Sequence, residues 1–204
     1  MRILITGGAR SGKSRFAEQY ASRIGDHGIY LATCQSFDDE MKERITQHQD
    51  DREQSGFSWE TIEEPLRVAE RLGALAARLQ AEQAEAGLAG KPWRPPVVLL
   101  DCLTLWLTNW LLLEEEGQSE SAILTGHAAD ELLKAVKAYR YPLLMVTNEV
   151  GDGIVPEYPL GRRFRDEAGR LNQRMAGLCD RVFLVTAGIP VDMKQLAFRW
   201  EDLS

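Results

Sequence analysis

The sequence predicts a three-layer α/β protein with a mostly parallel, doubly wound sheet. Short apolar runs typical of buried strands alternate along the chain with longer amphipathic segments typical of helices. In addition, the first apolar run leads through glycines directly into a helical pattern, which is how a strand–loop–helix unit begins. No internal repeat interrupts this alternation, so we expect residues 1–204 to form one domain.

The predicted elements follow one another in order along the chain. The apolar runs predict strands at 2–6, 28–33, 97–100, 142–147 and 181–186. The helical patterns predict helices at 13–24, 38–51, 65–88, 103–113, 128–139 and 160–178. In the first helix the spacing places Phe16, Tyr20 and Ile24 on one face.

The composition indicates a folded protein of a reducing compartment. The 204 residues are 44% hydrophobic and can bury a core, which excludes a disordered or disulfide-stabilised chain. The net charge of -7 disfavours a nucleic-acid binder, although a local positive pocket could bind a small phosphorylated ligand. Cys34, Cys102 and Cys179 lack zinc spacing and are interpreted as buried thiols. The longest apolar stretch is broken by polar residues, so we expect a cytoplasmic protein without membrane insertion.

A phosphate-binding motif follows the first predicted strand. The run Gly7-Gly8-Ala9-Arg10-Ser11-Gly12-Lys13-Ser14 matches the P-loop pattern, and a strand precedes it and a helix follows it, as that motif requires. The glycines let backbone amides point inward at phosphates, Lys13 would reach the β- and γ-phosphates, and the Ser14 hydroxyl would bind Mg²⁺. An ordinary glycine-rich turn would leave the Lys13-Ser14 pair unexplained. The sequence therefore predicts a P-loop NTPase-like fold.

An acidic residue ends a second apolar run. Asp101 follows the strand predicted at 97–100, where a carboxylate is costly unless it meets a cation or hydrogen-bond donors. P-loop proteins use an acidic residue on a neighbouring strand to hold Mg²⁺, directly or through water. The alternative is that Asp101 only caps the helix that begins at Leu103.

A histidine stands between two arginines in the helix predicted at 38–51. Spacing of four residues places Arg44, His48 and Arg52 on one face. Two cations would lower the pKa of the imidazole and keep it neutral and nucleophilic, suited to attack phosphorus and form a phosphoramidate. The same arginines could bind phosphate oxygens. The alternative is an exposed histidine on a charged helix.

The third polar feature is a loop followed by a basic helix. The loop 147–156 leaves the carboxyl end of a predicted strand, where open α/β sheets bind ligands. Five arginines then fall within thirteen residues of the helix at 160–178. They could bind phosphate or form ion pairs between subunits, or they could belong to a solvated face that also carries acidic residues.

Together these motifs resemble the bifunctional adenosylcobinamide kinase/adenosylcobinamide-phosphate guanylyltransferase family of cobalamin biosynthesis. The resemblance runs in family order from residue 1 to about 190. It is carried by 6–15, Tyr30-Leu31-Ala32-Thr33, Asp38-Asp39-Glu40-Met41, Arg44-Ile45 with His48 and Arg52, 59–63, Thr147-Asn148-Glu149-Val150-Gly151, 153–156, Phe164-Arg165-Asp166, Gly169-Arg170 and Asn172-Gln173. The chain departs from compact members in longer segments at 53–58 and 65–96, and Cys34 stands where others have a small residue. The tail at 192–204 lies beyond the matched region.

The resemblance implies two reactions on one enzyme. ATP or GTP phosphorylates adenosylcobinamide, and GTP then guanylylates a histidine, which passes GMP to the cobinamide phosphate to give adenosylcobinamide-GDP. It implies that His48 carries GMP, that Lys13 is catalytic, that Mg²⁺ binds at Ser14 and Asp101, and that the protein is a homo-oligomer, typically a trimer. The implied nucleotide contacts are Gly7, Gly8, Ala9, Arg10, Ser11, Gly12, Lys13, Ser14, Ala32, Thr33, Cys34, Gln49, Asp50, Asp51, Arg52, Glu63 and Asp101.

Two further functions compete with this interpretation. A P-loop small-molecule kinase with His48 as a bystander would form no covalent nucleotide adduct. A nucleotide-dependent switch or assembly protein would bind GTP without transferring a group to any acceptor, and it would leave the spacing of His48 and the arginines unexplained. The order of the motifs favours the bifunctional transferase.

Overall fold

The computed structural model describes residues 1–35, 52, 55–115 and 124–199, in which strands and helices mostly alternate. The strands are β1 Arg2–Thr6, β2 His27–Ala32, β3 Ser58–Glu63, β4 Val97–Asp101, β5 Leu143–Val146, β6 Arg181–Thr186 and β7 Ile189–Asp192. The helices are α1 Lys13–Ile24, α2 Val68–Leu88, α3 Leu103–Glu115, α4 Leu124–Ala138, α5 Pro159–Leu178 and α6 Met193–Leu196.

The strands form a seven-stranded sheet in the order β3-β2-β4-β5-β1-β6-β7. All neighbouring pairs are parallel except β6 and β7, which pair antiparallel. The carboxyl ends of β1 to β6 therefore meet at one edge of the sheet. The order also places β5 between β1, which leads into the predicted P-loop, and β4, which ends in Asp101.

Helices cover both faces of this sheet, which gives the three layers. Alternate residues of the strands point to opposite faces, so that Ile3 and Ile5 belong to one core and Leu4 belongs to the other. α1 packs on the first face through Ala17 and Ala21, and α2, α3, α4 and α5 cover the second. Small alanine side chains let α1 approach the sheet closely.

The predicted fold class is confirmed, with corrections to individual elements. The prediction did not include β3 and β7, and α4 begins four residues earlier than predicted. Phe16 and Tyr20 of the predicted α1 face pack against the core, whereas Ile24 is 37% exposed, and the fully buried positions of α1 are Ala17 and Ala21. Phe16 and Tyr20 pack at the side of the helix against Phe183. The helix predicted at 38–51 lies outside the described residues.

The apolar stretch at 97–113 is divided between β4 and α3. Over the described ranges, none of the helices combines the length and the apolar character that crossing a membrane requires.

Candidate active site

The loop between β1 and α1, residues 7–12, depends on glycine at both ends. A Cβ atom at Gly7 would lie 2.3 Å from the carbonyl oxygen of Val185, so no side chain fits there. Gly12 has a φ of +94°, in a region that residues with a side chain rarely adopt. Its Cβ atom would also lie 3.3 Å from the Cα atom of Gly188. Glycine therefore lets the loop turn closely over the strand ends, as the P-loop motif requires.

Neighbouring segments hold this loop on two sides. On one side, the Gly188 N–H in the turn between β6 and β7 donates to the Ser11 carbonyl at 2.9 Å. On the other side, the Glu149 N–H, which follows β5, donates to the Gly7 carbonyl at 3.1 Å. The loop and the first turn of α1 thus form a cradle of defined shape, and the helix dipole favours an anion within it.

Three polar side chains line the cradle. Lys13 Nζ donates to the Gly8 carbonyl at 3.3 Å, so the ammonium turns back over the loop. Ser14 is half-buried in the first turn of α1. The Ser11 hydroxyl is buried and has no hydrogen-bond partner among the described residues. A cation, two hydroxyls and inward-facing amides are the groups that bind the oxygens of a polyphosphate.

Asp101 lies at the same edge of the sheet, at the carboxyl end of β4. Its Oδ2 accepts a hydrogen bond of 2.9 Å from the hydroxyl of Tyr30, a residue of β2 that is only 6% exposed. Burial, followed by the nearby Asp101 carboxylate, raises the pKa of Tyr30 well above its usual value, so the phenol stays a donor. Asp101 is not on the strand next to β1. One strand intervenes, which separates β4 from β1 by about 10 Å.

Arg52 is buried against this pair. Its guanidinium lies 3.7 Å from the centre of the Tyr30 ring, and its Nη1 is 3.9 Å from Oε1 of Glu18 in α1. The Arg52 side chain is only 6% exposed. Stacking on an aromatic face and pairing with a carboxylate are the two ways in which a buried arginine is stabilised. The contacts therefore connect Glu18, Arg52, Tyr30 and Asp101 in a row.

The ends of β2, β3 and β4 bring further predicted site residues together. Ala32 stands in register with Glu63 on one side and with Asp101 on the other. Thr33 is completely buried, and its hydroxyl donates to the Cys102 carbonyl at 2.7 Å and accepts from the Cys102 N–H at 2.8 Å. Thr33 therefore fixes two strand ends to each other, and its contact with a nucleotide stays a prediction.

The two thiols near this edge are protonated at neutral pH. Burial, followed by Asp101, raises the pKa of the half-buried Cys34 thiol and raises the pKa of Cys102 to about 11. The Lys13 ammonium is close enough to oppose the shift at Cys102. Both cysteines are free, and a neutral thiol is a poor nucleophile, so neither is suited to covalent catalysis.

Side chains on α3 and α5 position the segment that follows β5. Thr147 Oγ1 donates to Asn172 Oδ1 at 2.8 Å, and Asn172 Nδ2 donates to the Asn148 carbonyl at 3.1 Å. Asn148 Nδ2 in turn donates to Thr104 Oγ1 at 2.7 Å. Glu149, the next residue, is exposed beside the P-loop. These contacts explain why Thr147, Asn148 and Asn172 occur together in the motifs that the sequence carries.

The five arginines of α5 bind to other parts of this chain. Arg162 and Arg165 donate to backbone carbonyls of the loop that precedes α5. The other three form ion pairs: Arg163 with Glu114 at 2.5 Å, Arg170 with Glu167 at 2.8 Å, and Arg174 with Asp130 at 2.5 Å. The exposed pairs fit the interpretation of a solvated face with acidic residues, whereas Arg162 and Arg165 fix a loop.

The remaining predicted site residues, His48, Gln49, Asp50 and Asp51, lie outside the described residues. The structure adds Tyr30 and Glu18, which the sequence did not place in the site. A tyrosine inside a buried strand needs a partner for its hydroxyl, and that need was the available signal for Tyr30. Glu18 gave no signal, because it meets Arg52 only through the tertiary fold.

The fold and the cradle define a class of protein. A strand–P-loop–helix unit with Lys13 and Ser14, and an acidic strand end at the same edge, is the arrangement of a P-loop nucleotide-binding α/β protein. The chain belongs to the cobinamide kinase / cobinamide phosphate guanyltransferase family, whose model matches residues 3–193. This match confirms the resemblance drawn from the motifs and the assignment to a kinase and nucleotidyltransferase family.

Similar proteins carry the name "bifunctional adenosylcobalamin biosynthesis protein". CobP of Pseudomonas aeruginosa is 42% identical over 95% of this chain and 98% of its own length. CobU of Salmonella typhimurium and CobU of Escherichia coli are 41% and 39% identical, each over 95% of this chain and all of its own length.

Among solved structures, an ATPase of a bacterial type III secretion system aligns with 99% of this chain and 60% of its own, at 13% identity and a TM-score of 0.48. A second structure, of an isolated ATPase domain, aligns with 90% of this chain and 68% of its own, at 12% identity and a TM-score of 0.46. Similarity this distant carries no argument about function.

Proposed function

We propose that this chain is a bifunctional transferase that performs both reactions of its family. It phosphorylates adenosylcobinamide with a nucleoside triphosphate, and it then transfers GMP from GTP through a guanylyl-histidine on His48 to give adenosylcobinamide-GDP. The observation that carries the proposal is the match to relatives named for a bifunctional role in adenosylcobalamin biosynthesis, over 95% of the chain. The P-loop cradle and the row of contacts that ends at Asp101 support it.

The donors at the cradle fit Mg²⁺. Ser14 offers a hydroxyl and Asp101 a carboxylate, which are the hard oxygen ligands that this ion prefers. The unpaired Ser11 hydroxyl and the glycine-dependent shape of the loop fit the phosphates that would accompany it. Because β5 separates the two strands, Asp101 would act directly or through a water molecule. When bound, Mg²⁺ neutralises charge that develops on the phosphate oxygens.

In the kinase reaction the chain mainly binds, orients and neutralises. The backbone amides of residues 7–12 and the dipole of α1 would hold the β- and γ-phosphates. Lys13 would move from the Gly8 carbonyl to the γ-phosphate, where its charge stabilises the transferring group. The acceptor hydroxyl must stand in line with the bond that breaks, so its position is as important as the charges.

In the guanylyl transfer a nitrogen of His48 attacks the α-phosphorus of GTP. A nitrogen–phosphorus bond forms, the bond to the α,β-bridging oxygen breaks, and pyrophosphate leaves. A phosphate oxygen of cobinamide phosphate then attacks the same phosphorus and releases the histidine. Arg52 would stabilise the charge on the α-phosphate oxygens, and its contacts with Tyr30 and Glu18 hold it at the edge of the sheet. Ala32, Cys34, Glu63 and residues 49–51 would complete the GTP site.

The test is incubation with GTP labelled at the α-phosphate, with Mg²⁺ and without the corrinoid substrate, adenosylcobinamide. We expect an acid-labile, alkali-stable label on the wild-type protein and none on His48→Ala, because only a phosphoramidate shows that stability. His27→Ala and His127→Ala are matched controls, since both histidines are exposed, and they should label like the wild type. Binding of a fluorescent GTP analogue to each variant confirms that the site is intact.

The competing function is a P-loop kinase without the histidine intermediate. It predicts phosphorylation of the corrinoid by a wild-type protein that binds GTP but never becomes labelled. That result would contradict the assignment of His48 and leave only the kinase reaction.

We also infer from the family resemblance a cytoplasmic homo-oligomer, typically a trimer. Sedimentation equilibrium measures its mass directly, and a monomer at micromolar concentration would contradict the inference.

A further inference from the structure

The loop between β5 and α5, residues 147–158, contains a carboxylate that has no role in the reactions as described above. Glu149 is exposed, and its N–H donates to the Gly7 carbonyl of the P-loop at 3.1 Å. Its Oε1 accepts a hydrogen bond of 3.0 Å from the Gly151 N–H, which leaves the second carboxylate oxygen able to accept a proton. Because β5 lies between β1 and β4, Glu149 stands between the phosphate cradle and the strand of Asp101.

The same loop presents apolar side chains to solvent. Ile154 is 97% exposed, Val155 is 56% exposed and Tyr158 is 64% exposed. Neighbouring exposed apolar side chains of this size indicate a surface that binds a ligand or another protein. Ile154 follows Glu149 by five positions, so its Cα atom lies at most about 17 Å from that of Glu149.

Arginines of α5 hold this loop by its backbone. Arg165 donates to the Gly151 carbonyl through Nη2 and, at 3.2 Å, through Nε. Arg162 Nη1 donates to the carbonyls of Pro156 at 3.2 Å and Glu157 at 2.5 Å. Hydrogen bonds from a charged donor are stronger than hydrogen bonds between neutral groups. The apolar side chains are therefore presented by a fixed backbone.

We propose that the β5–α5 loop is the acceptor site of the phosphoryl transfer, and that Glu149 receives the proton of the acceptor hydroxyl. The ligand is a large alcohol with apolar surface, whose hydroxyl end reaches the γ-phosphate while its body contacts Ile154, Val155 and Tyr158. This inference rests on the proposed kinase reaction. It adds the location of the acceptor site and the residue that acts as general base. The corrinoid is the occupant that we infer, because Glu149 of the same loop contacts the phosphate cradle at the Gly7 carbonyl.

The phosphoryl transfer to the acceptor hydroxyl needs no reactant besides the nucleotide and the alcohol. The hydroxyl oxygen attacks the γ-phosphorus, and a new oxygen–phosphorus bond forms as the bond to the β,γ-bridging oxygen breaks. The nucleoside diphosphate leaves with that electron pair. The hydroxyl proton passes to the Glu149 carboxylate and then to solvent. A positioned base in such a transfer contributes about 10²- to 10⁴-fold to the rate.

The first test is Glu149→Gln, which keeps the size of the side chain and can still accept from the Gly151 N–H. We expect kcat for corrinoid phosphorylation to fall by about 10²- to 10³-fold. Self-guanylylation should continue, because it removes no proton from a hydroxyl, and nucleotide binding should not weaken, because the lost carboxylate charge repels phosphates. Glu149→Asp should retain more activity than Glu149→Gln. In Glu149→Ala, added formate should restore part of the rate, which a merely structural role would not allow.

The second test separates binding from proton transfer. The double variant Ile154→Ser/Val155→Ser should raise KM for the corrinoid about tenfold or more and leave KM for the nucleotide unchanged, since each side chain loses its apolar contact. Glu157→Gln and Ile189→Ser are the matched controls. Glu157 is an exposed carboxylate of the same loop, and Ile189 is 65% exposed on β7. Both should behave like the wild type.

The outcomes distinguish this proposal from the proposed function. If the wild type phosphorylates the corrinoid and Glu149→Gln is equally fast, Glu149 is not the base. If the Ile154/Val155 variant keeps its KM but sediments with a smaller mass, the apolar surface is a contact between copies of the chain. If the wild type does not phosphorylate the corrinoid, the kinase assignment itself is wrong.

Discussion

At the scale of single residues, Asp101 is placed by a neighbour that comes from a distant part of the chain. The Tyr30 hydroxyl donates to the carboxylate, and the ring of the same tyrosine supports the guanidinium of Arg52. One side chain thus contacts a proposed metal ligand and a proposed GTP ligand. Residues that orient a ligand of a metal typically change metal affinity when they are replaced.

Tyr30→Phe should weaken the use of Mg²⁺ and leave Arg52 in place. The substitution removes the 2.9 Å hydrogen bond to Asp101 but retains the ring on which Arg52 stacks. We expect the Mg²⁺ concentration for half-maximal activity to rise by about tenfold. Titration with Mn²⁺, followed by electron paramagnetic resonance, measures the same change without turnover.

Tyr30→Leu is the comparison variant, because it removes both contacts. It should show the same loss of metal affinity and also raise the GTP concentration needed for guanylylation of the protein. Unchanged metal affinity in Tyr30→Phe would mean that the hydroxyl does not orient a metal ligand.

At the scale of elements, local patterns predicted the sheet well where the strands are buried. The strand ending at Thr6 and the glycine loop after it were recognised because their signals lie within a dozen residues. β3 was missed because it is an edge strand with polar, mostly exposed residues, so the alternation that marks a strand is weak. The contact of Arg52 with Tyr30 and Glu18 depends on three elements meeting, which no local pattern encodes.

Gly12→Ala should destabilise the P-loop and reduce nucleotide binding. An alanine at a φ of +94° is strained, and its Cβ would meet the Cα atom of Gly188 at 3.3 Å. The strain lowers the free energy of unfolding by roughly 1–2 kcal/mol, which corresponds to a fall in Tm of about 2–8 °C. Differential scanning calorimetry and fluorescent-nucleotide titration measure the two effects.

Gly8→Ala is the control for stability. Among the described residues, no heavy atom lies within 4 Å of a Cβ atom at Gly8, so Tm should change little. An equal loss of Tm in both variants would show that the strained backbone at Gly12 is not the cause.

At the scale of the whole molecule, each of the two apolar cores contains a buried thiol. Cys102 belongs to the core beneath α1, and Cys179 belongs to the core on the opposite face of the sheet. Burial raises the pKa of Cys102 to about 11 and that of Cys179 to about 12, against 9.0 for an ordinary cysteine. The folded protein therefore keeps two protons that the unfolded chain releases in alkaline solution.

Below about pH 9 neither thiol should make the stability depend on pH. Above about pH 9 the stability should fall, because the unfolded state then binds fewer protons than the folded state. The fall extends to about pH 11 for Cys102 and to about pH 12 for Cys179. Each thiol lowers the free energy of unfolding by up to about 1.4 kcal/mol per pH unit within its window. Urea unfolding between pH 7 and pH 11 measures the slope. Cys102→Ala and Cys179→Ala should each reduce that slope, whatever their effect on stability at neutral pH. An unchanged slope in both variants would assign the alkaline loss to other groups, among which the buried Tyr30 comes first because its pKa is also raised by burial.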